Sequence, residues 1–471
     1  MIKCGIARVH SDLCGTITLQ TAYMATTSPF SRLFLRMQET PGQKLLWTAT
    51  AWRILATVGS QLIRLVTAVL LARLLGRYAF GQFALLQNTV GLLGSMAGLG
   101  IGATVTKHVA EYRDRETEKA GRALGFGLVT IGVSATVVAA GLLFFAAPIA
   151  ERALNSASLV GALEILSLDV ILSSLDSVQV GALLGLHAFR IAALNANAKN
   201  VVYLVASITG AAVAGLNGAV WGQLLTDLLF LAINHLSLTR MCSKFEIKIK
   251  YSVQASQFRN LKDYSLPLFM SSMLNWFAQW FSNATLGRQH NGFNEFALVQ
   301  VGRQWANIVT VVPGAMGEAG LPMLATHYGR GEFDDLSAIA RRQHHHVFVL
   351  SGVAGLGLAI FSPLILLAYG RGFEGHPWPM VLISASAVLQ ALTNVPLQIV
   401  ASTGRVWPGF LFTLGFSAVL ITSTLQLKSF GATGLSFSYL LAYGVDLALL
   451  MTFSRRVLKQ LRSTTKEELH A

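Results

Sequence analysis

Apolar runs about as long as a bilayer-crossing helix recur along the whole chain, separated by short polar or glycine-containing turns. A helix rises 1.5 Å per residue, so roughly 20 apolar residues span the hydrocarbon core. The pattern predicts twelve helices, near 47–72, 81–105, 123–147, 159–184, 196–214, 219–238, 266–286, 295–320, 345–369, 379–400, 407–427 and 433–453. A membrane barrel would show short strands of alternating apolar and polar residues instead. The expected fold is an all-α polytopic membrane protein with about 12 transmembrane helices.

The helices form a repeat. After the first span the chain reads Leu75-Gly76-Arg77, then Gly81-Gln82-Phe83-Ala84-Leu85-Leu86-Gln87. After the seventh it reads Leu286-Gly287-Arg288, then Asn294-Glu295-Phe296-Ala297-Leu298-Val299-Gln300. Phe, Ala, Leu and Gln recur at matching places, with Phe83 and Phe296 an offset of 213 apart. A turn near the end of each half repeats too, Gly215-Leu216-Asn217-Gly218 against Gly431-Ala432-Thr433-Gly434. Six helices is an even number, so the copies start on the same membrane side and are parallel, related by an axis along the membrane normal. The expected organisation is an N-terminal tail (1–44), a six-helix lobe (45–238), a basic linker (239–262), a second six-helix lobe (263–455) and a C-terminal tail (456–471). Two lobes facing each other enclose a central cavity, which is transporter architecture.

Composition agrees. Hydrophobic residues make up 53% and charged residues 12%, where a soluble domain carries roughly 25% charge. Soluble enzymes and disulfide-rich secreted modules are excluded. The net charge of +14 would suit nucleic acid, but its distribution says otherwise. With both termini inside and Lys199, near the start of the fifth span, counted with the loop before it, 27 Lys and Arg fall on cytoplasmic segments and 6 on the opposite side, and Arg53, Arg64 and Arg303 remain within spans. That asymmetry is the positive-inside rule, so no nucleic-acid partner is expected. The predicted external loops reach only about a dozen residues, too short for a catalytic domain, which counts against a membrane glycosyltransferase or polysaccharide polymerase. Cys4, Cys14 and Cys242 are odd in number and match no metal motif, so free thiols are expected. Residues 1–36 lack a continuous apolar region, unlike a signal peptide. Met24 and Met37 precede the first span, so a disordered cytoplasmic tail or an over-long gene model is expected.

Polar residues inside spans carry the candidate chemistry, since a charge in mid-bilayer costs roughly 2.5–3.5 kcal/mol on insertion scales. The first span has Arg53, Thr57, Gln61 and Arg64 on one stripe, with no acid on the same helix. The eighth has Gln300, Arg303, Gln304 and Asn307, the seventh Asn275, Gln279 and Asn283, and the tenth Gln390, Asn394 and Gln398. Arg53 could instead snorkel to the headgroups, and any one stripe could simply bond a neighbouring helix. Four stripes together favour a shared hydrated cavity. The substrate-binding candidates are Arg53, Gln61, Arg64, Asn275, Gln279, Arg303, Gln304, Asn307, Gln390 and Asn394. Asp169, Ser173 and Asp176 share a face of the fourth span, while Asp227, Glu318 and Asp446 stand alone. Buried carboxyls can hold and release a proton, so Asp169, Asp176 and Glu318 are ion-coupling candidates; pairing with an intramembrane Arg is the structural alternative. The run Pro313-Gly314-Ala315-Met316-Gly317-Glu318-Ala319-Gly320-Leu321-Pro322 is expected to interrupt its helix. Pro313, Gly314 and Pro322 are candidate hinge residues, the simple cytoplasmic end of the eighth span being the alternative.

Three motifs carry no chemistry. Gly94, Gly98 and Gly102 form a small-residue strip suited to helix packing, with no strand ahead to make a phosphate loop. His344, His345 and His346 are consecutive and point about 100° apart on a helix, so no metal is expected, and no cofactor. Asn283-Ala284-Thr285 fits a glycosylation acceptor but lies in or at the edge of a span.

A charged stripe in span one, then Ala72-Arg73-Leu74-Leu75-Gly76-Arg77, Phe80-Gly81, Leu99-Gly100 and an amphipathic loop from Lys107 to Arg122, resembles the first two helices of bacterial polysaccharide-biosynthesis flippases. These belong to the multidrug/oligosaccharidyl-lipid/polysaccharide (MOP) superfamily. The likeness covers residues 45–455 in topology and is closest around 70–125 and 285–325. It implies two lobes around a cavity in the bacterial inner membrane and an undecaprenyl-pyrophosphate-linked oligosaccharide as substrate. It also implies membrane lipids and other polysaccharide-assembly membrane proteins as partners. Unpaired Arg suits pyrophosphate or acidic sugars, and Gln and Asn suit sugar hydroxyls. The competing expectation is an ion-coupled multidrug antiporter of the same superfamily, whose cavity should be rich in acids and aromatics.

The topology is testable by labelling introduced cysteines. Positions 216 and 430 should react from outside and positions 250 and 460 from inside; external labelling at 250 would overturn it.

Overall fold

The computed structural model describes the backbone of residues 41–98, 100–251, 261–403 and 407–470. By contact the chain forms two units, 1–56 and 57–471. In the first, residues 41–56 are helical, and their side chains, Arg53 among them, lie outside the description. Also outside are residues 1–40 with Cys4, Cys14, Met24 and Met37, residues 252–260 of the expected linker, and the side chains of Glu318 and Pro322.

All regular structure among the described residues is helical. The helices are α1 (Pro41–Gly98), α2 (Ile101–Tyr112), α3 (Thr117–Pro148), α4 (Val160–Gly185), α5 (Phe189–Lys244), α6 (Leu261–Gly287), α7 (Gly292–Gly329), α8 (Phe333–Tyr369), α9 (Trp378–Ser402), α10 (Trp407–Leu427) and α11 (Gly431–His470). The twelve predicted spans fall on them because two helices are broken. α1 turns at Gly76, with φ 76° and ψ 168°, a combination only glycine adopts readily. Its second arm leads through Gly100, also left-handed, into α2. α5 breaks at Ala214 and Gly215. Among the described residues seven stretches are long and apolar enough to cross a membrane, and three of them, Thr57–Gly98, Phe189–Lys244 and Trp407–Leu461, each contain two helical pieces.

Lipid is as apolar as leucine, so inside a bilayer close van der Waals contact and polar contacts decide which helices associate. The two arms of α5 show this. A Cβ on Gly210 would overlap the Gly218 carbonyl, and one on Gly222 would overlap Ala206. The arms therefore fold back on each other at backbone contact distance. The Gly94, Gly98 and Gly102 strip does not do the same. Gly94 and Gly98 have open space where a Cβ would be, and Gly102 alone faces a neighbour, Ser177. The bend at Gly100 interrupts the face on which the three would have aligned.

The expected interruption of the eighth span is also corrected. α7 runs as helix from Gly292 to Gly329, straight through Pro313–Pro322. Proline removes its own N–H bond, and neighbouring helices hold the rest. A Cβ on Gly317 would lie 2.8 Å from Gln398 Nε2, and one on Gly320 2.7 Å from the Gln343 amide. Gln343 Nε2 donates to the Met316 carbonyl and to Gln398 Oε1, both at 3.1 Å. The glycines admit these amides against the helix rather than unwinding it.

One apolar core joins both halves of the sequence, including Leu71, Phe80, Leu85, Leu286, Phe293, Phe296, Tyr369 and Phe373. Phe80, Tyr369 and Phe373 meet at centroid distances of 5.7–6.2 Å. Two further cores each belong to one half, one drawn from residues 101–247 and one from 324–399. The halves thus share packing at the end bearing Gly76, Arg288 and Tyr369, while the cores at the other end are separate.

Gly222→Leu should lower stability by about 1–3 kcal/mol or prevent folding, since overpacked contacts cannot relax. Gly141→Ala, which meets open space, should leave thermal melting of the detergent-solubilised protein unchanged or higher. Equal melting of both variants would contradict the packing at the α5 turn.

Candidate functional site

A cavity of about 230 Å³ opens between α6, α7, α9 and α11. Trp276 and Gln279 line it from α6, Arg303, Ala306 and Asn307 from α7, Ile383, Ser386, Ala387 and Gln390 from α9, and Tyr439 and Tyr443 from α11. Among the described residues its one charged lining residue is Arg303. Arg303 Nη1 donates to the Tyr439 hydroxyl at 2.9 Å, Nη2 donates to Gln279 Oε1, and the guanidinium lies 5.0 Å from the Tyr439 ring centroid. The Tyr439 hydroxyl donates to Asn283 Oδ1 (3.1 Å), whose amide donates to Asn88 Oδ1 (3.0 Å). Gln279 in turn bonds Asn275. A guanidinium has five N–H donors, and these contacts occupy two. No carboxylate among the described residues pairs with it, so it keeps a free charge and free donors beside polar amides and aromatic rings.

Of the ten residues expected to bind substrate, Gln279, Arg303, Asn307 and Gln390 line this cavity, and Asn275 supports it through Gln279. Gln61, Arg64 and Gln304 sit instead on a seam between α1 and α7. Arg64 Nη2 donates to Gln61 Oε1 (2.9 Å), and Gln61 Nε2 donates to the Gln304 carbonyl (3.1 Å). Gln304 Oε1 accepts from the Tyr369 hydroxyl at 3.2 Å. Arg64 is exposed and has no carboxylate partner among the described residues. Asn394 bonds its own helix at Ala391, and Gln398 turns to Gln343. The four stripes therefore do not share one cavity, because helix rotation sends each to a different neighbour. The stripes missed Trp276, Ser386, Tyr439 and Tyr443. Tyr439, Tyr443 and Asp446 follow each other at i, i+4 and i+7, a spacing that was visible beforehand.

The acids have a different fate. Lys199 Nζ lies 2.8 Å from Asp176 Oδ2 and 2.6 Å from Asp227 Oδ1. The partner is thus an intramembrane lysine on α5, not an arginine, although the charge tally left only arginines within spans. Asp169 is fully buried and accepts from Gln223 Nε2 at 2.7 Å. Asp169 and Asp176 both face α5, Asp169 toward Gln223 and Asp227 and Asp176 toward Lys199 and Asn234; the backbone at Glu318 is far along the sequence, on α7.

A clasp closes the joined end. Arg77 Nε donates to the Asn294 carbonyl (2.7 Å), Nη1 to the Gly372 carbonyl (2.9 Å), and Nη2 pairs with Glu295 (3.3 Å). Glu295 also accepts from the Ala432 N–H (3.0 Å), and Arg73 Nε donates to the Ala368 carbonyl (2.7 Å). On the other flank Asn155 Nδ2 donates to the Arg288 carbonyl at 3.5 Å. Arg77 and Arg288 hold matching places in the sequence repeat, in Leu75-Gly76-Arg77 and Leu286-Gly287-Arg288. Between them a Cβ on Gly81 would overlap the Phe293 carbonyl, so the first half's second arm lies hard against the second half.

Comparison with known proteins accords with this geometry. A family described as polysaccharide biosynthesis protein matches residues 46–326. The EPS I polysaccharide export inner membrane protein EpsE of Ralstonia solanacearum is 23% identical, over 82% of this chain and 88% of its own. Its counterpart in Ralstonia nicotianae is 22% identical over the same shares. Among solved structures, an inward-facing multidrug resistance MATE family transporter of the MOP superfamily superposes with a TM-score of 0.70 at 14% identity, covering 86% of this chain and 96% of that one. An outward-facing one gives 0.63, at 14% identity and 91% and 98% coverage. A MOP superfamily transporter from Pyrococcus furiosus, described as having a binding pocket of reverse polarity that suggests a different function, gives 0.66 at 15% identity, covering 90% and 98%. At these identities the structures establish the fold alone.

Arg77→Ala removes three contacts to two segments, at Asn294–Glu295 and at Gly372, each charge-assisted bond contributing about 1.5–3 kcal/mol. A cysteine replacing Leu85, buried against Gly287, should then react with a water-soluble maleimide at least about tenfold faster in detergent. Unchanged reactivity would show that Arg77 does not hold the halves together.

Proposed function

Because the chain belongs to the polysaccharide biosynthesis protein family, we propose that it turns an undecaprenyl-pyrophosphate-linked oligosaccharide from the cytoplasmic to the periplasmic leaflet for surface polysaccharide assembly. The observation that carries this reading is Arg303, a membrane-embedded guanidinium without a counter-charge among the described residues, in a cavity of amides and aromatic rings. Guanidinium recognises phosphate and carboxylate through paired, charge-assisted bonds. Asn307, Gln390 and Gln279 offer donors and acceptors to sugar hydroxyls, and Trp276 and Tyr443 offer flat apolar faces to sugar rings. The lipid tail stays in the bilayer beside the halves. The export role of the EpsE relatives supports a transported polysaccharide precursor and a role in transport instead of catalysis.

The reading includes alternating access between two parallel six-helix lobes, 45–238 and 263–455, joined by the linker 239–262, with both termini cytoplasmic. The clasp at Arg77 then closes the periplasmic end, and the separate cores leave the cytoplasmic end free to part. Pro313 cannot bond back to Val309, and Gly314 meets open space. A continuous α7 is therefore weakest there, and these residues, with Pro322, serve as hinge positions within the helix. Asp169 and Asp176 belong to the cluster through which an ion gradient acts. An antiporter for organic cations would need carboxylates in the cavity; the described lining has none, and only Asp446, facing Tyr443, would serve that reading.

In proteoliposomes with labelled lipid-linked oligosaccharide, Arg303→Ala should cut flipping by about 10- to 150-fold, the worth of one charge-assisted contact. Arg303→Lys should retain part of the activity, because charge survives and the planar fork does not. If Arg64→Ala and Arg303→Ala both reach normal levels and flip normally, the anion-site reading is wrong.

A further inference from the structure

The sequence's first half contains a second polar site, built from residues that take no part in the Arg303 cavity. Asp169 and Asp176 project from α4, Lys199 from the first arm of α5, and Asp227 from its second arm. Lys199 bridges Asp176 and Asp227 at 2.8 and 2.6 Å. The other oxygen of Asp176 accepts from Asn234 Nδ2 at 2.7 Å, and Asn234 Oδ1 accepts from Asn195. Asp169 Oδ2 accepts from Gln223 Nε2, which is held by Gln87 of α1. Asp169 Oδ1 accepts no hydrogen bond, and the carboxyl of Asp169 faces that of Asp227. The remaining titratable group facing the pair is Tyr203, on the first arm of α5.

The charges do not balance if every acid is ionised. Three carboxylates and one ammonium leave two negative charges inside a membrane helix bundle, with two carboxylates face to face. Like charges at such a site cannot both persist; one carboxyl keeps a proton, which then hydrogen-bonds the other. A metal ion could in principle balance the same charge, and hard cations seek this kind of oxygen cluster. The place between Asp176 and Asp227 is already filled by the Lys199 ammonium, and a second cation beside it would meet a like charge. The Lys199 side chain is 27% exposed while its two partners are 9% and 11%, so the lysine is the most accessible of the three.

We propose that this cluster is a proton-binding site, Asp169 and Asp227 sharing one proton, in which Lys199 is a tethered cation that excludes metal ions. On release the proton passes to water and leaves two facing carboxylates. That state calls for the hydration that an opened conformation would bring. The link to transport rests on the flippase reading, under which the proton is the coupling ion; the site itself does not.

The test uses the purified full chain in detergent and needs no transported substrate, so its outcome is separate from that of the flipping assay. Infrared spectroscopy of the wild type near neutral pH should show the carbonyl stretch of a protonated carboxyl, lost in Asp169→Asn. Equilibrium binding of radioactive sodium should be unsaturable in the wild type, while Lys199→Ala, which leaves Asp176 and Asp227 without their cation, should gain affinity by at least about tenfold. Absence of the protonated-carboxyl band in the wild type, its persistence in both Asp169→Asn and Asp227→Asn, or saturable sodium binding to the wild type that Asp176→Asn abolishes would each overturn the proposal. The wild-type measurements decide the matter even if a variant fails to fold.

Discussion

A guanidinium inside a lipid-facing helix bundle must be solvated by protein, because the bilayer supplies neither water nor counter-ions. Much of the second half is arranged around meeting that demand for Arg303. Gln279 and the Tyr439 hydroxyl take two of its donors, and the Tyr439 ring takes its face. Tyr439 can hold its position because Asn283 Oδ1 accepts a hydrogen bond from its hydroxyl, and Asn283 is bonded across to Asn88 on α1. A chain of hydrogen bonds thus runs from the first half of the sequence to the cation. Polar contacts between membrane helices contribute about 0.6–2 kcal/mol each, which exceeds what apolar side chains gain by leaving lipid for one another. The residues that keep the charge tolerable also fasten helices together.

The first half meets the same constraint with the opposite sign. There Lys199 offsets part of the carboxylate charge, and Gln223 and Asn234 donate hydrogen bonds to Asp169 and Asp176. Under the proposed reading the two sites do different work. Arg303 keeps unused donors facing a cavity, so it is fitted to bind something brought to it. In that reading the aspartate cluster, whose charge Lys199 offsets only in part, changes protonation instead. Arg64 stands between these cases. It is bound to Gln61 on its own helix and exposed on the α1–α7 seam, close to contacts that must alter if the halves move.

Movement is limited to what the close contacts permit. At the clasp Arg77 binds two carbonyls and Glu295, and backbone meets backbone at Gly81 and Phe293. These are short-range contacts that either form fully or separate, unlike an apolar face that can slide. The cores drawn from 101–247 and 324–399 share no residues, so parting the halves at that end disrupts neither. One end locked and the other independently packed is a workable starting point for alternate opening.

The sequence by itself determined the helices. In a membrane each helix must satisfy its own backbone hydrogen bonds and carry about 20 apolar residues, and both requirements are local, so the twelve spans, the turns at Gly76 and Gly215 and the repeat could be read along the chain. It also marked Arg303, Gln279, Asn307 and Gln390, since a polar residue within an apolar run is conspicuous wherever it points. Which polar residues meet was decided by tertiary structure. Gln279, Arg303, Asn307 and Gln390 converge, while Gln61 and Arg64 go to a seam, Asn394 to its own backbone, and Lys199, taken for a loop charge, to two aspartates. The run from Pro313 to Pro322 looked broken, yet stays helical because Gln343 and Gln398 pack on its glycines. Each of these outcomes depends on the rotation of a helix about its axis and on which neighbour it touches. Hydropathy averages over that rotation, and the contacts that set it lie tens to hundreds of residues away in the chain.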